Sequence, residues 1–136
     1  VIQEEGSYLN EQRLQITTQT ELRGALIGTG FPYNREDRPK LIPKFQKMLE
    51  NCGDIRRIGA ASLDICWIAA GRIDGFFETL SPWDFAAAQL VVREAGGKIG
   101  HIGEVPPGVP PELYGLDLIV GAPAIFDEMQ QVLRSA

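Results

Sequence analysis

From Arg23 onward, short apolar runs closed by glycine alternate with longer stretches whose apolar residues recur every three or four positions. A short bounded apolar run is a buried strand, and a 3.6-residue period is a helix facing a core. "RGALIGTG" (23–30) therefore reads as a strand. "LIPKFQKMLENCG" (41–53) reads as a helix with Leu41, Phe45, Met48 and Leu49 inward and Gly53 as its stop. "DIRRIG" is a short strand leading to "AASLDICWIAAGR". That helix carries Ala61, Leu63, Ile65, Ile68 and Ala69, is apolar on most sides, and is expected in the middle of a layered domain. "DGFFE" is the next strand, "SPWDFAAAQLVVREAGG" (81–97) a helix, and "KIGHIG" a further strand. "LDLIVGAP" and "AIFDEMQQVLRSA" close the chain as a buried strand and an amphipathic helix with Ile125, Met129 and Leu133 inward. This alternation specifies an α/β layered sandwich, with a mostly parallel central sheet flanked by helices. With 136 residues, the chain is expected to form one domain over 1–136 and to bury a real core.

The remaining segments are turns and loops. "GSYLNEQRLQIT" (6–17) reads as a hairpin turning at Asn10-Glu11, with Tyr8, Leu9, Leu14 and Ile16 as core contacts. "FPYNREDRPK" (31–40) and the proline-rich stretch 104–115 read as loops. The net charge of −5 argues against direct nucleic-acid contact. Arg35, Arg38 and Lys40 are interrupted by Glu36 and Asp37, as in a solvated loop. Cys52 and Cys66 lack metal-ligand spacing and read as reduced thiols. No apolar run has membrane-spanning length, and "VIQEEGSYLN" carries acid where a secretory signal carries base, so a cytoplasmic protein without a membrane partner is expected. The chain opens on Val1 and its first methionine is Met48, which permits a piece of something longer. His101, the only histidine, reads as a surface residue without a nucleophilic partner, and Trp67 as core.

The helix opening at Ser81 carries two readings. Ser81 is an N-cap, Pro82 fits the first helical position, and Asp84 in the first turn interacts favourably with the helix dipole. Alternatively Asp84 is a ligand for something charged. Trp83 is costly beside a simple cap, and Ala86, Ala87 and Ala88 narrow one flank so that another element can approach. Glu78 also ends the preceding strand, where open α/β sheets bind ligands. Glu78 is otherwise a solvated carboxylate. Gly59, Ala60 and Ala61 are either a tight packing point or a stretch of main chain open to a ligand at a helix start. Asp64, on the same helix, reads as structural.

"WDFAAAQLVVREAGG" closely resembles the C-terminal signature of the inositol monophosphatase family: Trp-Asp, small residues, then a helix closing on Glu-Ala-Gly-Gly. "GSYLNEQRLQIT", "GALIGTGFPY" and "RRIGAASLDICWIAAGRIDGFFE" resemble the family's hairpin, its following strand and its central strand–helix–strand, in the same order. Only 100–114 departs from the pattern. The resemblance implies the C-terminal half of the sugar-phosphatase fold, in a homodimeric Mg²⁺-dependent phosphate monoester hydrolase such as inositol-1-monophosphatase. It implies Asp84 as a metal ligand and Glu78 as the acid that hydrogen-bonds a substrate hydroxyl, although the loop between them is one residue short. It implies substrate contacts from the backbone of Gly59, Ala60 and Ala61. "GFPYNRED" would face the substrate, whether inositol monophosphate, histidinol phosphate, a nucleotide bisphosphate or a sugar bisphosphate.

The family's earlier half carries a Glu-Glu segment and an Asp-Pro-x-Asp-Gly-Thr motif, and neither occurs here. "IQEEG" lies just before the hairpin and is not the first of them. One carboxylate cannot assemble a Mg²⁺ cluster. The expected partner is therefore a separate N-terminal domain, and the chain alone is expected to be inactive, with no catalytic residue complete within it. The alternative is a non-catalytic interaction module with a dimer or partner surface, since some bacterial relatives act in RNA-polymerase-associated complexes.

Overall fold

A computed structural model describes residues 4–136, so that Ile2 and Gln3 of "IQEEG" lie outside the described residues. The hairpin is β1 (Tyr8–Leu9) and β2 (Gln12–Arg13), paired antiparallel. Asn10 (φ 50°) and Glu11 (φ 68°) form its left-handed turn, which matches the right-handed twist of the strands. Tyr8 and Leu9 are half exposed rather than core, because a two-residue ribbon has no second layer to cover them. Leu14 and Ile16, just past the ribbon, do pack against the two cores.

The main sheet contains β3 (Leu26–Thr29), β4 (Asp54–Arg56), β5 (Gly75–Glu78), β6 (Lys98–His101) and β7 (Leu118–Gly121), in the order β4-β3-β5-β7-β6. β3 pairs parallel with β4 and β5, whereas β7 pairs antiparallel with both β5 and β6. Four strands thus share one direction and β7 alone is reversed, so the sheet is mixed. The cause lies in the connections. Each parallel step needs a crossover helix, but β6 and β7 are joined by a loop that contains only one 3₁₀ turn, Pro111–Leu113.

Side chains alternate across the sheet. Phe77 and Ile119 face a core shared with α1 (Arg38–Asn51) and α4 (Pro123–Arg134). Phe76, Leu118 and Val120 face a second core with α2 (Ala61–Ala69) and α3 (Pro82–Glu94). Ile125, Met129 and Leu133 of α4 are buried as expected. α1 begins at Arg38, inside the stretch read as a loop, because Pro39 is tolerated in a first helical turn. On α1, Met48 is fully buried and Leu49 is 51% exposed, since they lie 100° apart and only one can face the sheet.

α2 is not enclosed between layers: Leu63 is 41% exposed on its outer side, where nothing described packs. The same outer face continues on α3 through Trp83, 82% exposed, Ala86, Ala87 and Leu90, while Ala88 turns inward. Trp67 is half-buried against the core beneath the Arg72 guanidinium. α3 ends as its glycines require. Gly96 is left-handed (φ 96°) and donates to the Arg93 carbonyl at 3.0 Å, and Gly97 donates to the Val92 carbonyl at 2.9 Å.

His101 is buried rather than on the surface. Its Nε2 lies 2.6 Å from the Tyr114 carbonyl oxygen and its ring packs against the Tyr114 ring. Cys52 and Cys66 are free thiols. Among the described residues, no helix is long and apolar enough to cross a membrane.

Candidate functional site

The carboxyl ends of β3, β4 and β5 and the start of the reversed β7 lie at one edge of the sheet, and a cleft of about 630 Å³ opens there. Strand ends leave backbone groups unpaired, and the following helices begin beside them, so this edge collects polar groups. Gly59, Ala60 and Ala61 line the cleft at the start of α2, and Ser81 and Asp84 line it at the start of α3. Two helix N-termini, each a locus of partial positive charge, therefore face one space. Gly59 reaches its place with φ 89°, a conformation glycine adopts without strain.

Asp84 does both things asked of it locally. Its Oδ2 accepts the Ser81 N–H at 3.1 Å, which caps α3, and the carboxyl still lines the cleft. Glu78 ends β5 with its carboxyl lying over Gly30, where any β-carbon would collide with it. One step back along the same face of β3, a β-carbon on Gly28 would stand 2.6 Å from Asp64 Oδ1. The two glycines, two apart on one strand face, thus seat two carboxyls side by side. Asp64 is buried and its Oδ1 has no hydrogen-bond partner.

The charges follow from this crowding. Burial pushes Asp64 up to about 7. Glu78 is also pushed up to about 7, first by burial and then by the negative charges of Asp64 and Asp84, against the opposing pull of the Arg57 cation. Near neutral pH both carboxyls are poised between charged and neutral, able either to donate or to accept a hydrogen bond. Asp64 thus belongs to the cleft as well as to the core, which its purely structural reading did not anticipate.

All five residues singled out from sequence, Gly59, Ala60, Ala61, Glu78 and Asp84, lie on this cleft, and Phe31 to Asn34 of "GFPYNRED" line its other side. The sequence reading missed Arg57. Its guanidinium sits 4.9 Å from the Phe31 ring centroid, and its charge reaches Glu78. The signal was available, because Arg57 follows the last residue of β4, the strand-end position that marked Glu78. Lys44, Thr79 and Asp117 were missed as well, with Lys44 Nζ donating to Asp117 Oδ1 at 2.8 Å on the cleft rim. As for a metal, Asp84 offers a carboxylate with one oxygen outside the cap. Among the described residues, no three acidic, histidine or cysteine side chains converge closely enough to hold an ion. The chain by itself therefore does not fit a metal centre.

Comparison with known proteins places the chain among relatives. A family model described as the inositol monophosphatase family matches residues 1–132. A Haemophilus influenzae protein named Nus factor SuhB is 45% identical over 100 residues, covering 70% of this chain and 36% of the relative. A Neisseria meningitidis protein named putative Nus factor SuhB is 37% identical over 132 residues, covering 96% of this chain and 49% of the relative. The chain therefore spans about half the length, or less, of the curated relatives it matches. Among solved structures, the extragenic suppressor protein suhB of Bartonella henselae superposes with a TM-score of 0.87 at 28% identity, covering all of this chain and 51% of that one. The inositol monophosphatase of Anabaena superposes with a TM-score of 0.86 at 29% identity, covering 98% and 52%.

Proposed function

The chain belongs to the inositol monophosphatase family, and from that premise we propose that it forms the substrate-facing half of a Mg²⁺-dependent phosphate monoesterase, with inositol monophosphate as the substrate. The observation that carries this reading is the meeting of Glu78, Asp84 and the 59–61 backbone on one cleft between two helix N-termini. Such N-termini favour the negative charge of a phosphate ester. Asp84 is one metal ligand, held rigid by its bond to the Ser81 N–H. Glu78, buried and crowded toward neutrality, hydrogen-bonds a hydroxyl of the alcohol half. The small residues 59–61 let the ester approach the main chain. When bound, Mg²⁺ provides charge neutralisation and an activated water. The carboxylates that complete its site come from a segment outside this chain.

The bare outer face of α2 and α3, with Leu63, Trp83, Ala86, Ala87 and Leu90, supports such a covering segment. On this reading the isolated chain is inactive, and the active protein is a cytoplasmic homodimer. The test is phosphate release from a panel of phosphate monoesters by the full-length protein. Mg²⁺-dependent turnover is expected to fall about a hundred- to a thousandfold in Asp84→Asn, the loss typical of a key charge-stabilising group. Asparagine keeps an acceptor for the Ser81 N–H, so helix α3 stays intact. Full activity in Asp84→Asn, or robust turnover by the 136-residue chain alone, would refute the proposal.

A second reading is favoured by the relatives themselves, two of which are named Nus factor SuhB and putative Nus factor SuhB. In that case the chain is a partner-binding module rather than part of an enzyme. A full-length protein that lacks phosphatase activity on the whole panel, yet retains this fold, would favour it.

A further inference from the structure

The return limb of the proline-rich connection between β6 and β7 runs against the loop that joins Glu78 to Asp84. We infer that residues 114–117 form a strap that fixes this loop, with Asp117 as its positioning residue. The inference rests on the roles proposed above for Glu78 and Asp84.

Contacts tie the two segments at both levels. The Leu80 N–H donates to the Gly115 carbonyl at 2.9 Å, and the Asp117 N–H donates to Thr79 Oγ1 at 3.0 Å. Asp117 Oδ1 receives Lys44 Nζ of α1 at 2.8 Å and lies 3.5 Å from Thr79 Oγ1. The approach is so close that Gly115 admits no β-carbon, which would overlap the Leu80 carbonyl oxygen. Asp117 itself is left-handed (φ 51°), a conformation aspartate tolerates better than most residues.

The strap is in turn anchored from behind. Buried His101 lies 2.6 Å from the Tyr114 carbonyl oxygen, and Gln89 Nε2 of α3 donates to the Glu112 carbonyl at 2.6 Å. The loop thus gains a fixed path between the carboxylates of Glu78 and Asp84. Lys44 links the same point to α1, on the opposite layer of the sandwich.

Asp117→Gly removes the carboxylate without backbone strain, Asp117→Asn keeps an acceptor, and Thr79→Val removes the hydroxyl from the other side. In the 136-residue chain, Asp117→Gly and Thr79→Val are expected to speed amide exchange at Leu80 about tenfold, the scale of one lost hydrogen bond. Exchange in β7 should stay unchanged, and Asp117→Asn should behave close to the parent. In the full-length protein, the half-saturating Mg²⁺ concentration and KM should each rise about fivefold in Asp117→Gly, with kcat at saturation within twofold. Unchanged Leu80 exchange in both loosening variants would overturn the strap. A fall in kcat alone, with KM and the Mg²⁺ requirement unmoved, would overturn Asp117 as a positioning residue. A parent protein without Mg²⁺-dependent turnover would overturn the phosphatase reading instead, and amide exchange then decides the strap by itself.

Discussion

Asp64 sits over Gly28 of β3 and Glu78 over Gly30 just beyond it, and both are held near a pKa of about 7 in the folded chain. An unfolded Asp titrates near 4 and an unfolded Glu only slightly higher. Their raised folded values mean that the native state binds protons more tightly between those limits. The stability each group contributes is therefore fully present below about pH 4 and is lost as pH rises through about 7. The thermal midpoint of the chain is expected to fall between pH 5 and pH 8, and Asp64→Asn to remove about half of that slope, leaving the part due to Glu78. A midpoint independent of pH in the parent would contradict the buried charge. Legibility differed between these two residues for a physical reason. Glu78 was exposed to inference by its place at a strand end, whereas Asp64 sits on a helix whose apolar neighbours pointed only to packing. His101 failed in the opposite sense. A lone polar residue was assigned to the surface, but the carbonyl of Tyr114, thirteen residues away, satisfies it inside.

At the scale of elements, helices and strands from Leu26 onward were readable because each has one dominant period and a clear stop. α4 shows the energetics. Met129 packs over Gly75 and Gly121, and a β-carbon on Gly75 would lie 2.6 Å from its Sδ. The strands thus leave a groove that only a long flexible side chain fills. Met129→Ala should cost about 2–5 kcal/mol in urea unfolding, the usual range for a large-to-small core change. A loss under about 1 kcal/mol would mean that the groove collapses without it. The direction of β7 was not read, although the absence of a helix between β6 and β7 contained the information. Start positions were least secure where proline was taken only as a breaker, as at Pro39 in the first turn of α1.

For the whole molecule, both helical layers leave apolar side chains facing outward. α1 presents Ile42 and Leu49 to solvent, and α2 and α3 present Leu63, Trp83 and Leu90, of which Trp83 is the largest and is 82% exposed. The apolar residues on most sides of α2 predict a helix covered on both faces. A covering segment leaves no contacts in the chain it covers. Trp83 reports on it directly. Its fluorescence in the 136-residue chain should resemble that of a solvated indole and should shift to the blue in the full-length protein. Trp83→Phe should remove that component, leaving Trp67. Identical emission from both proteins would mean that this face stays wet.

The reversed strand has a consequence for how the chain is made. β7 lies between β5 and β6, yet it is synthesised after both. A ribosome that has released everything up to Tyr114 has therefore produced a sheet with an empty lane inside it, bordered by two unpaired strands. Until β7 emerges, those two edges are open to any other extended chain. Closure waits for Leu118–Gly121.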